Sequence, residues 1–61
     1  MANLSELDLQ NLRHLISGYD VTHCKLKDYA AGATDTQVQQ FFEKGAQSAM
    51  DNKNQLMKFL Q

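Results

Sequence analysis

A break in hydrophobic phase between Gly32 and Thr36 constrains this chain more than any other feature. On its N-terminal side a stripe recurs at steps of three and four: Leu9, Leu12, Ile16, Tyr19, His23, Leu26, Ala30 and Ala33. That repeat is one face of an α-helix. Continued as a single rod, the stripe would next pass through Gln37 and Gln40, which are poor core residues, so the rod is rejected. A second stripe restarts in a new phase with Val38, Phe42, Gly45, Ala49, Asn52, Leu56 and Phe59. Between the two stripes lies Gly32-Ala33-Thr34-Asp35-Thr36, a glycine followed by residues that favour turns and caps. Gly32 is expected to end the first helix in the left-handed conformation. Asp35, or Thr34 acting with Gln37, is expected to cap the amides of the second. The fold expected is all-α: a two-helix antiparallel hairpin with helices over about 6–31 and about 36–60 and a turn at 32–35.

Ser5 is the natural N-cap of the first helix, with Glu6 and Asp8 placed where negative charge suits the helix dipole. Residues 1–4 are then a frayed leader, and 1–61 form a single domain. Counting outward from the turn brings His23 level with Gly45 and Ala46, and Tyr19 or Asp20 level with Ala49. Bulky side chains on one helix thus face small ones on the other.

A chain of 61 residues buries too small a fraction of its surface to be comfortably stable alone. The stripes are also wider than one seam requires, since Leu15 and Tyr29 flank the first and Phe41, Ala46, Met50, Met57 and Leu60 flank the second. Stripes that wide call for more than one neighbour per helix. A homodimer, or a higher homo-oligomer, closing into a four-helix bundle meets that need with one gene product. Its core and interface are expected to draw on Leu12, Ile16, Tyr19, His23, Leu26, Phe42, Ala49, Asn52 and Leu56.

Composition excludes several partners. The net charge is −1, from six basic and seven acidic residues spread along the chain, and no basic stripe suited to nucleic acid is present. No apolar run approaches the roughly 20 residues that span a bilayer. The N-terminus lacks the basic and apolar regions of a secretory signal. The single cysteine, Cys24, rules out an internal disulfide, and synthesis in the cytoplasm is the expectation.

Five residues on or beside the stripes bear on chemistry: Asp20, His23, Cys24, Asn52 and Lys53. Asp20 and His23 are three residues apart, so both could address one metal ion from one helix face, a partial likeness to the Glu-x-x-His element of di-iron bundles. Helix two offers Val38, Phe42, Gly45 and Ala49 at the relevant depth and no carboxylate, so the expectation is no bound cofactor and a core histidine satisfied by Tyr, Asp or water. Asn52 and Lys53 interrupt the second stripe near the level of Leu12 to Ile16, where Asn52 could fix register or reach water from the edge. Cys24 cannot pair with His23 as nucleophile and base, because adjacent helical residues point about 100° apart. It is read as a partly buried side chain, with an inter-subunit disulfide as the lesser alternative. No Ser-His-Asp set, phosphate loop or zinc pattern is present, and no enzyme is expected.

Five segments carry a resemblance. They are Leu-Arg-His-Leu-Ile at 12–16, Cys-Lys-Leu-Lys-Asp-Tyr-Ala at 24–30, Ala-Thr-Asp at 33–35, Gln-Gln-Phe-Phe-Glu-Lys at 39–44 and Asn-Gln-Leu-Met-Lys-Phe-Leu at 54–60. Together they resemble the helical hairpins of the ferritin-like superfamily, and most of all the small spore coat proteins related to coat protein F. Where such proteins often place a proline after the capping aspartate, this chain has Thr36, and the carboxylate ligands of iron-binding members are missing. The resemblance implies a structural or assembly component of the bacterial spore coat, with other coat proteins among its partners. Two other classes stand beside it: a helical adaptor that binds a partner helix, and a degenerate ferritin-like metal-binding half-bundle.

Overall fold

The computed structural model describes residues 4–61; the expected leader at 1–4 therefore lies outside the described residues except for Leu4, which is half-buried ahead of the first helix. Helix α1 spans Glu6–Gly32 and helix α2 spans Thr36–Met57, followed by a single 3-10 turn at Lys58–Leu60. No strand occurs among the described residues, so the architecture is an all-α hairpin.

Each helix begins on the side chain expected of it. Ser5 Oγ accepts from the Asp8 amide at 3.0 Å, and Asp8 Oδ2 accepts from the Ser5 amide at 3.4 Å. This reciprocal pair satisfies two amides that the helix cannot satisfy itself. Asp35 Oδ1 accepts from the Val38 amide at 3.0 Å and starts α2.

Gly32 departs from expectation. No described residue has a positive φ; Gly32 stays helical, and Ala33 turns the chain by moving to an extended conformation, φ −74° and ψ 135°. The Ala33 amide donates to the Ala30 carbonyl at 3.3 Å. An extended residue followed by an aspartate already in N-cap geometry reverses the chain in three residues, so no left-handed step is needed. Because Asp35 makes that reversal, Asp35→Ala should lower stability by about 1 kcal/mol, or about 4–8 °C in melting temperature for a domain of this size. Thermal circular dichroism reads the change, and a loss no larger than that of Thr34→Ala would show that the cap is not what holds the turn.

The two helices lie side by side along a molecule with Cα extents of 47 × 16 × 11 Å. The smallest dimension is that of one layer of helices, whereas stable domains are built from two or more packed layers. The Cα radius of gyration is 14.3 Å, against about 10.5 Å for a compact chain of this length.

Candidate helix-packing interface

Along α1 the seam is formed by Leu9, Leu12, Ile16, Tyr19, Asp20, His23 and Leu26, all half-buried, and by Ala30, which is buried. Across it stand Gln39, Phe42, Gly45, Ala46, Ala49, Lys53 and Leu56 of α2. Among the described residues only Ala30, Ala46 and Ala49 are buried, with Ala46 at 1% exposure, and no large side chain is fully enclosed. The centre of the hairpin is therefore a line of small residues against which longer side chains lean. Gly45 is the tightest case: a Cβ there would stand 3.1 Å from Leu26 Cδ1. The bare backbone at Gly45 is what lets Leu26 lie flat on α2.

The stripe of α2 is rotated from the one read off the sequence. Val38, Asn52 and Phe59 are exposed, and Gln39 and Lys53 take seam positions. The expected series from 38 to 59 repeats every 3.5 residues, but a straight α-helix repeats every 3.6 and drifts about 20° per heptad. After two heptads the drift carries Asn52 off the seam and Lys53 onto it. Asn52 is exposed at the edge of the seam, the second of the two roles open to it.

The polar seam residues have specific partners. His23 Nδ1 lies 2.9 Å from the Ala46 carbonyl oxygen. A carbonyl only accepts, so Nδ1 carries the proton and donates, which sets the neutral ring as the Nδ1–H tautomer. The partner is thus backbone rather than the Tyr, Asp or water expected. Asp20 Oδ1 stands 2.7 Å from Lys53 Nζ. Both candidate metal ligands are committed to α2, Asp20 by a charge pair and His23 by a hydrogen bond. Among the described residues no cluster of three or more His, Cys, Asp or Glu side chains is placed to hold a metal ion. Cys24 is exposed, not partly buried; with His23 facing the seam, the next residue is turned about 100° away from it.

Aromatic rings gather near the turn. Tyr29 and Phe42 have ring centroids 5.5 Å apart, and Phe41 and Phe42 are 6.2 Å apart edge to face. Such tilted pairs are favourable beyond the area they bury. Phe42 is half-buried, but Tyr29 and Phe41 remain exposed, Phe41 at 72%. With them, Leu7, Leu15, Val21, Val38, Met57, Phe59 and Leu60 are the large apolar side chains left in water. Of the residues expected to build core and interface, Leu12, Ile16, Tyr19, His23, Leu26, Phe42 and Leu56 are half-buried, Ala49 is buried and Asn52 is exposed. Periodicity did not single out Lys53 as the partner of Asp20, because that pairing depends on which way α2 is turned.

No family model, curated protein or solved structure matches the chain. Among the described residues, no helix is long and apolar enough to cross a membrane.

Proposed function

We propose that this chain is a structural protein with no catalytic activity of its own, working through helix–helix assembly. Two hairpins close into a four-helix bundle, and the bundle is a building unit of the bacterial spore coat. One observation carries the assembly reading: among the described residues the hairpin buries three alanines and leaves nine large apolar side chains exposed. A side chain of that kind gains about 1.5–3 kcal/mol when it is fully buried, so a second layer of helices offers far more than the hairpin secures by itself. The coat setting rests on the five segments that resemble coat protein relatives.

Sedimentation tests the assembly. The expected species at tens of micromolar is twice the 6.9 kDa chain or a higher multiple, and a 6.9 kDa monomer at every concentration would overturn the reading. The time of expression tests the setting. Synthesis confined to sporulating cells supports a coat role, and constitutive synthesis removes it.

A further inference from the structure

The hairpin has two unlike sides, and the contacts across the seam tell them apart. Leu26 rests on Gly45 along one side, and the Asp20–Lys53 pair closes the other. Stepping about 100° per residue from these markers sorts the rest. On the Leu26–Gly45 side lie Leu15 and Tyr29 of α1 with Val38, Phe41 and Phe59 of α2, all exposed. Gly18, Thr22, Ser48 and Asn52, which fill the middle of that side, are small or uncharged. The other side carries Arg13, Asp20, Lys27, Glu43 and Lys53. Five of the nine large apolar side chains exposed among the described residues thus lie on the Leu26–Gly45 side, and the Asp20–Lys53 charge pair lies on the other.

We infer that the Leu26–Gly45 side is the face on which a second copy of this chain sits, with the Asp20–Lys53 side turned to water. The inference rests on the assembly reading above and adds to it which surface closes the bundle. Three observations favour a second copy as the occupant. Apart from Asp8, whose carboxylate is engaged in the Ser5 cap at the far end of α1, this face is uncharged and so self-complementary, because two copies related by a two-fold axis bring few like charges together. The area also fits. The hairpin exposes 4851 Å², where a compact monomer of this mass exposes about 4,000 Å², and the excess is of the order of the ~800 Å² each partner buries in a standard interface. Finally, one added layer converts a single sheet of helices into the two layers a domain requires.

The chain contains no tryptophan, so single indoles report on each side. Phe41→Trp marks the proposed face and Met57→Trp the opposite side. As concentration rises through the monomer–dimer transition, the Phe41→Trp indole should shift to the blue and lose acrylamide quenching, while the Met57→Trp indole stays wet. Phe41→Lys should raise the dimer dissociation constant by about 30-fold or more, the scale of a buried aromatic anchor; Met57→Lys should leave it near that of the unsubstituted chain. A dimer in which the Phe41→Trp indole remains quenchable, or the Met57→Trp indole is shielded, overturns the choice of face and leaves the assembly reading intact. A chain that never dimerises overturns both. Shielding of the Phe41→Trp indole only when phosphatidylglycerol vesicles are added would give the face to a lipid surface and overturn the proposal.

Discussion

Ala46→Leu should unfold the hairpin or leave it unstable at room temperature. Ala46 is the most enclosed of the described residues at 1% exposure, and its carbonyl accepts a hydrogen bond from the His23 ring at 2.9 Å. Helices at such a contact are spaced by the side chains between them, and three added carbon atoms must push α1 away from α2. Overpacking of this kind costs about 1–3 kcal/mol and sometimes more. Separation also strips the His23–Ala46 hydrogen bond and lifts Leu26 from Gly45 one turn along. Total stability for a chain of this length is only about 3–9 kcal/mol, so the loss is a large part of it. Circular dichroism at 222 nm should show reduced helicity and a much lower melting temperature. Gln47→Leu, one residue on and exposed, adds a similar side chain outside the seam and should change little. If Ala46→Leu melted within a degree or two of Gln47→Leu, the close approach of the two helices would be refuted.

The melting temperature of the unsubstituted protein should rise with its concentration. A protein that folds as a pair gains stability by mass action, about 1.4 kcal/mol for each tenfold rise in concentration. Unfolding entropy is about 2.1 cal/mol/K per residue near the midpoint. Spread over two chains of 61 residues, this predicts an upward shift of roughly 5 °C per decade. Melting followed from micromolar to near-millimolar protein measures it. A hairpin that holds together by itself melts at the same temperature throughout, and that result would remove the four-helix bundle. The surface argues against such independence: a layer one helix thick, with three alanines buried among the described residues, has little to set against the entropy of ordering its chain.

Local signals located the hairpin well. The change of phase after Ala33, the Ser5 cap and the Asp35 cap are all properties of neighbouring residues, and each recurs in the structure. The level of the two helices followed from simple counting, since an antiparallel pair closed by a three-residue turn leaves little freedom to slide. His23 accordingly stands beside Ala46. Gly32 differs from the left-handed stop that a glycine after a helix suggests; Ala33 and Asp35 reverse the chain in ordinary backbone conformations. Asn52 takes the edge position, the second of the two roles its place in the stripe leaves open, because a 3.5-residue repeat and a 3.6-residue helix agree over one turn and part company over four.

Two amphipathic helices, their caps, the point of reversal and their relative level were thus determined by the sequence alone, because each depends on residues within a few positions of one another. The tertiary structure decided how far each helix is turned about its own axis. That rotation is set by contacts such as His23 with Ala46, 23 positions apart, and Leu26 against the bare backbone of Gly45, where small residues let the helices approach and larger ones do not. A local repeat defines a stripe but leaves its centre uncertain by about one residue, or about 100°. Only once that angle is fixed do Asp20 and Lys53 meet on one side and Leu15, Tyr29, Val38 and Phe41 gather on the other.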